Sequence, residues 1–268
     1  MKLKIISTQG AASGEATLPG QFTEPVRSDL IKRAVEVIFA NSRQPYGASE
    51  GAGMRHSANL SRRRHKYRGS YGFGISRVPR KIMSRRGTRF NWVGAVAPGT
   101  VGGRRAHPPK AEKIWAKKIN KKERRKAIRS AISATILKDL VQERNHVIPK
   151  EYPCILNNDF ETIKKTKDLK AALDKIGLSE ELKRTSERKI RAGKGKARGR
   201  KYKTKVGPLL VVSSECDLLK SGKNILGLEV VEVSKLNCSL LAPGTVPGRL
   251  TFFTEKAIEK LEKEKLFM

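Results

Sequence analysis

The run GPLLVVS, residues 207–213, sets Pro208, Leu209, Leu210, Val211 and Val212 side by side between a glycine and a serine. A strand with one wet face alternates apolar and polar residues. An unbroken apolar run instead fits a strand covered on both faces, as in a parallel sheet sandwiched by helices. Neighbouring segments repeat the theme. LEVVEV (228–233), RLTFF (249–253), YPCIL (152–156) and KLKII (2–6) all read as strands.

Helical patterns fall between them. Leu30, Ile31, Ala34, Val35 and Ile38 recur at helix spacing after Pro25, with Ser28 as the expected N-cap. Ile128, Ile132, Ile136 and Leu140 mark one face of a long helix beginning near Asn120. Shorter helices are expected at 159–165 and 167–176, another from Ser179, and a last one over 254–266. Strands alternating with helices give an α/β class built on a mostly parallel sheet flanked by helices. Residues 1–43 and 110–268 are expected to form this domain.

Between them, 44–109 shows no sustained period of 2 or 3.6 and reads as a long irregular basic loop extending from the domain. Only nine of the 61 residues from Gly51 to Ala111 are Ile, Leu, Val or Met. Ordering a backbone residue costs about 1–2 kcal/mol, which so few apolar residues cannot offset. The loop is therefore expected to take a fixed shape only against another molecule.

Charge says what kind of molecule. The 268-residue chain carries a net +33, and two windows hold 25 of those excess charges. Gly51–Ala111 has 15 Lys or Arg and no acid, and Arg188–Lys205 has ten and no acid. The rest of the chain carries only +8. Two acid-free surfaces in a balanced chain suit a polyanion, nucleic acid first. An anionic membrane is the weaker reading. No apolar run approaches the roughly 20 residues that cross a bilayer, and neither window carries an amphipathic stripe. MKLKIISTQG lacks the apolar stretch of a secretion signal. Cys154, Cys216 and Cys238 are few and widely spaced, which suits a reducing compartment. His56, His65, His107 and His146 have no metal-ligand spacing, so neither metal nor cofactor is expected.

The first window includes RRRHKYRGSYGFGISRVPRK, residues 62–81, with eight Lys or Arg, three glycines, three aromatics and no acid. Arginines cluster at Arg62-Arg63-Arg64, Arg85-Arg86 and Arg104-Arg105, joined by Arg43, Arg55, Lys66, Arg68, Arg80, Lys81 and Arg89. Tyr67, Tyr71, Phe73, Phe90 and Trp92 are interleaved. Guanidinium forks fit phosphate oxygens, and rings stack on exposed bases. The bland alternative is a disordered basic loop that holds any polyanion loosely. In the second window, Arg191, Lys194, Lys196, Arg198, Arg200, Lys201 and Tyr202 surround Gly193, Gly195 and Gly199. That spacing lacks the G-K-[ST] end of a phosphate-binding P-loop and misses the dinucleotide fingerprint by one residue. Contact with an RNA backbone is the better reading, and a solvated linker the alternative.

Catalysis finds little support. Ser213-Ser214-Glu215-Cys216 follows a strand, where α/β enzymes place chemistry, yet a serine there is more often a helix cap. An RNA-associated enzyme and an architectural DNA binder are the competing classes. Neither accounts for an α/β domain with one basic internal loop and no polar cluster at its strand ends.

Several motifs, taken in order, resemble one family. They are Glu50-Gly51-Ala52-Gly53-Met54-Arg55-His56, Val101-Gly102-Gly103-Arg104-Arg105-Ala106-His107-Pro108-Pro109, Asn120-Lys121-Lys122-Glu123-Arg124, Ala127-Ile128-Arg129-Ser130-Ala131 and Ile190-Arg191-Ala192-Gly193-Lys194-Gly195-Lys196-Ala197-Arg198-Gly199-Arg200. Together they are similar to large-subunit ribosomal protein four in its archaeal and eukaryotic branch, over nearly the whole chain. The lack of a long C-terminal extension favours an archaeal source. The resemblance implies a cytoplasmic, ribosome-bound structural protein with no cofactor, whose globular domain sits on the outside of the large subunit. It implies that 44–109 threads inward through large-subunit rRNA, which it helps to assemble. Its tip, within Tyr67–Trp92, would line the peptide exit tunnel beside ribosomal protein twenty-two and meet the nascent peptide. By the same resemblance Tyr71, Phe73 and Arg77 face the tunnel, while Arg104, Arg105, His107 and 191–202 contact rRNA, as do Arg55 and His56.

Overall fold

The computed structural model describes all 268 residues. In chain order the elements are β1 (Lys2–Ile6), β2 (Ala12–Thr17), α1 (Ser28–Asn41), β3 (Arg80–Arg86), β4 (Arg89–Gly94), α2 (Lys121–Ala134), α3 (Lys138–Glu143), β5 (Ile155–Leu156), α4 (Thr166–Lys175) and α5 (Ser179–Ser186). There follow β6 (Lys189–Ile190), β7 (Tyr202–Lys203), β8 (Leu209–Val212), α6 (Leu218–Gly222), β9 (Glu229–Glu232), α7 (Cys238–Leu241), β10 (Thr251–Thr254) and α8 (Glu255–Lys263). The chain divides into two compact units. One joins Met1–Ser42 to Ala116–Met268, and the other is Arg43–Trp115.

The first unit is an α/β layer structure. Its six-stranded sheet runs β2-β1-β5-β10-β8-β9. Only the β1–β2 pair is antiparallel, and the other pairs are parallel. All four residues of β8 are buried, and they alternate between two cores. Leu209 and Val211 face the layer that holds Ile31, Ile128, Ile132 and Leu261. Leu210 and Val212 face the opposite layer, with Leu169, Leu173, Leu182 and Leu218. Phe252 and Phe253 of β10 divide in the same way. Phe253 meets Phe22 edge-on at 5.2 Å, and Phe252 meets Tyr152 edge-on at 5.6 Å. The apolar run at 208–212 thus has the two-sided burial its composition demands.

Four local expectations are corrected. Ser28 is the first helical residue rather than the N-cap, a position held by Arg27 without a side-chain bond. The Arg27 N–H instead donates to Ser130 Oγ at 2.6 Å, which ties the start of α1 to α2. The long helix expected from Asn120 is two helices. The chain breaks at Thr135–Leu137, where the Thr135 carbonyl accepts the Tyr152 hydroxyl and the Thr135 hydroxyl donates to the Ile132 carbonyl at 2.7 Å. The strand expected over 152–156 is confined to Ile155–Leu156. Strand β2 falls between the strand expected at 2–6 and the helix expected after Pro25, where the sequence reading places no element. It is an exposed edge strand with no apolar run to announce it.

The second unit has almost no apolar interior. Ser70, Arg80 and Ala95 are its only buried residues. It is nonetheless not wholly irregular, which is a fifth correction: β3 and β4 form a hairpin closed by Gly87-Thr88, with Gly87 at φ +58°. A register shift at Met83 offsets β3 by one residue, so the two-residue alternation never runs long enough to be read from the sequence.

Candidate nucleic-acid interface

In the second unit, the incoming and outgoing chains run side by side. The Ala48 N–H donates to the Pro109 carbonyl at 2.9 Å, and His56 Nε2 lies 3.2 Å from the Gly102 carbonyl. Glycine permits this approach. A Cβ added to Gly53, whose φ is +74°, would stand 2.5 Å from the Arg104 Cα. Beside this closure, Tyr46 stacks on Trp115 at 5.9 Å. The Arg43 guanidinium lies 3.7 Å above the Trp115 ring, and Lys113 Nζ lies 4.4 Å from it. Sequence reading places Arg43 among the candidates but not its ring partners. The signal was a Tyr and a Trp near opposite ends of the acid-free window.

Farther along, Phe90 and Trp92 on β4 stack at 5.0 Å with 22° between their planes. Tyr67 meets Phe90 edge-on at 5.4 Å, and Arg85 donates to the Tyr67 hydroxyl at 3.3 Å. These rings form part of a concavity of about 1230 Å³ whose lining also includes Arg63, Arg64, Lys66, Arg68, Tyr71, Phe73 and Arg89. Phe73 remains 72% exposed and Tyr67 54%. Arg77 does not line it, and its guanidinium sits 5.0 Å from the Tyr71 ring.

Among the sequence candidates of this unit, Arg43, Arg55, His56, Arg62, Arg63, Arg64, Lys66, Arg85, Arg86, Arg89, Arg105 and His107 are exposed. Arg68, Lys81, Trp92 and Arg104 are half-buried. Arg80 differs from the rest. It is 8% exposed and donates to the Val78 and Ser76 carbonyls, with its guanidinium 5.4 Å from the Trp92 ring. Its charge organises the hairpin and is not free for a ligand.

No Lys or Arg between residues 51 and 111 pairs with a carboxylate. With no carboxylate among them, each of these cations gains from an added anion.

The second basic window, in the first unit, is a small hairpin. Ile190 pairs with Tyr202, and the Arg191 N–H donates to the Lys201 carbonyl at 2.8 Å. Arg191 Nε donates to the Arg200 carbonyl at 3.1 Å, so this arginine braces the turn. Gly193 and Gly199, at φ +78° and +77°, let the turn reverse. Lys194, Lys196, Arg198, Arg200, Lys201 and Tyr202 stay exposed. Lys205 alone in this window has an acidic partner, Glu187 at 2.9 Å.

Beneath this hairpin lies a polar cluster that sequence reading missed. Glu181 on α5 accepts from His146 Nδ1 at 2.7 Å, from Arg184 through two bonds of 2.7 Å, and from the Val147 N–H at 3.0 Å. Arg184 also donates to the Val206 carbonyl at 2.7 Å, where the chain leaves the hairpin. Burial pushes the His146 imidazolium below its ordinary pKa, outweighing the pull of Glu181. Burial also works against the Glu181 carboxylate, but Arg184, His146 and Val147 together hold it below the usual value.

The strand ends hold no reactive constellation. The Ser213 N–H and hydroxyl both donate to Glu161 at 2.9 Å, and Thr254 Oγ1 donates to it at 2.7 Å. Ser213 is thus a tie to a buried carboxylate rather than the helix cap expected. Burial pushes the Cys154 and Cys238 thiols up to about 12, far from a reactive thiolate. Nowhere do three His, Cys, Asp or Glu side chains gather into a set able to hold a metal ion.

The architecture is that of a structural scaffold with two cationic surfaces. A model described as the ribosomal protein L4/L1 family matches residues 16–264, and the chain belongs to that family. The chain is 50% identical to the large ribosomal subunit protein uL4 of Nanoarchaeum equitans, covering all of both chains. It is 44% identical to proteins of the same name from Archaeoglobus fulgidus, over 97% of this chain and 98% of the relative, and from Methanocaldococcus jannaschii, over 98% and 99%. The archaeal affinity implied by the sequence is thereby established, and the protein is a structural ribosomal constituent.

Proposed function

We propose that this protein binds large-subunit rRNA in the cytoplasm, supports its assembly, and contributes its inserted unit to the wall of the peptide exit tunnel. The observation that carries the reading is the absence of any carboxylate partner for the cations of residues 51–111, in a unit with three buried residues. Residues 44–109 act as the RNA-penetrating element and 188–205 as a second contact. Phosphates meet the exposed arginines and lysines of both windows, and Arg104, Arg105 and His107 bind close to the chain closure. The tip of the insertion reaches the tunnel beside ribosomal protein twenty-two, where Arg77, which is outside the lining of the aromatic concavity, is the best placed of the expected tunnel residues to meet nascent peptide.

The test is a salt titration with purified full-length protein and a large-subunit rRNA fragment. If about 6–10 phosphates are neutralised, affinity drops by about 10³–10⁵ between 50 and 200 mM salt. A flat response overturns the reading.

A further inference from the structure

The concavity beside β4 differs from the other cationic surfaces of the molecule, because it adds an apolar interior to unpaired charge. Phe90 and Trp92 form its stacked wall, Phe73 stands 72% exposed across the same lining, and Arg63, Arg64 and Arg89 belong to it. No acidic residue lines it. Arg68, also in the lining, keeps its Nε buried without an acceptor. Next to it in the chain, the buried Ser70 hydroxyl lacks a partner as well.

These features specify an occupant. The exposed Phe73 ring in a concave setting beside a stacked aromatic pair calls for a flat apolar partner. Unpaired guanidinium groups at the same place call for an anion. An orphaned buried donor calls for an acceptor. One chemical class supplies all three: a nucleotide whose base is out of the helical stack. A paired RNA segment offers phosphates but hides its base faces. A peptide offers apolar side chains but no obligatory negative charge. At about 1230 Å³ the space exceeds the 300–1,000 Å³ typical of small-ligand pockets, which suits a short unpaired run better than one base.

We infer that this concavity is a receptor for unpaired bases of single-stranded RNA, stacked on Phe73, Phe90 and Trp92 with their phosphates held by Arg63, Arg64 and Arg89. The inference rests on the RNA-binding reading above and deepens it. It also assigns Phe73 and Tyr71 to RNA rather than to the tunnel.

The experiment uses full-length protein and two RNA hairpins with the same number of phosphates. One carries a three-nucleotide bulge containing 2-aminopurine, and the other is fully paired. The bulged RNA is expected to bind at least tenfold more tightly and to change its 2-aminopurine fluorescence on binding. Phe73→Ala, which removes a ring that is 72% exposed and belongs to neither hydrophobic core, is expected to weaken the bulged RNA by roughly 5- to 150-fold, the loss of one base stack, and to leave the paired RNA unchanged. Trp92→Leu is the second variant, and circular dichroism checks that it stays folded. Equal binding of the two hairpins, with Phe73→Ala silent, overturns the receptor while leaving phosphate binding intact. A flat salt response with both hairpins marks failure of the RNA reading instead. 2-Aminopurine fluorescence unchanged by the protein, together with binding of a neutral apolar peptide that Phe73→Ala abolishes, assigns the concavity to peptide and also overturns the proposal.

Discussion

Gly53 and Arg104 come so close that the structure leaves no room for a side chain on the glycine: an added Cβ would lie 2.5 Å from the Arg104 Cα and 2.8 Å from its nitrogen. The φ of +74° at Gly53 compounds the restriction. Gly53→Ala must therefore push the incoming and outgoing chains apart. Hydrogen exchange at the Ala48 N–H, which bonds the Pro109 carbonyl, is expected to speed up about tenfold or more, a loss of roughly 1.4 kcal/mol of local closure. Amides of β8 and β10 should not change. Unaltered exchange at Ala48 would show that the closure does not depend on this glycine.

Leu209 and Leu210 test the two-sided burial of β8. Both are essentially inaccessible, and they face opposite cores. Leu209→Ala and Leu210→Ala should each destabilise the fold by about 2–5 kcal/mol in urea unfolding. In a sheet with one wet face, one of the two substitutions would be nearly silent.

The cluster at His146 predicts an acid-side loss of stability. Burial disfavours the imidazolium in the fold, against Glu181 and alongside the charges of Arg184 and Arg144. A folded pKa below the ordinary 6.5 means that the unfolded chain takes up the proton first. Stability from this residue is full above about pH 6.5 and declines as pH falls through the window beneath it. Urea midpoints measured from pH 8 to 5 should fall at the acid end, and His146→Gln should flatten that segment. The same slope in the variant would assign it to other groups.

Deleting Tyr67–Trp92 removes most of the aromatic concavity but none of the two cores of the α/β unit. The unfolding free energy of that unit should change by less than about 0.5 kcal/mol. Limited proteolysis of the free full-length protein is expected to cut first within 44–109, where Ala95 is the only buried apolar residue. A protease-resistant insertion, or global unfolding of the deletion variant, would show that the segment carries more of the fold than its burial implies.

The parts of this fold that could be read in advance share a physical cause. PLLVV and TFF are strands covered on both sides, and double burial writes itself as an apolar run. Strand β2 has a single partner and six mostly exposed residues, so ASGEAT leaves no such trace. The β3–β4 hairpin escapes notice because the shift at Met83 breaks its alternation and its strands carry arginines. The cationic surfaces are legible because an acid-free run of 61 residues is a property of composition. What composition cannot reveal is which charge is spent internally. Arg80 looks like its neighbours in the sequence, yet its donors are taken by Ser76 and Val78. The stack of Tyr46 on Trp115 joins opposite ends of the insertion, a pairing only the folded chain displays.

The bond between Ala48 and Pro109 has a consequence in polymer terms. Once the two chains are clipped together there, the rest of the insertion is a loop whose ends are already joined. The closure entropy of such a loop grows only with the logarithm of its length, about 0.6 kcal/mol per doubling. Residues beyond the clip can therefore be gained, lost or rewritten at little thermodynamic cost to the α/β unit. Selection on the distal segment is left to act on what it touches, not on what it does to folding.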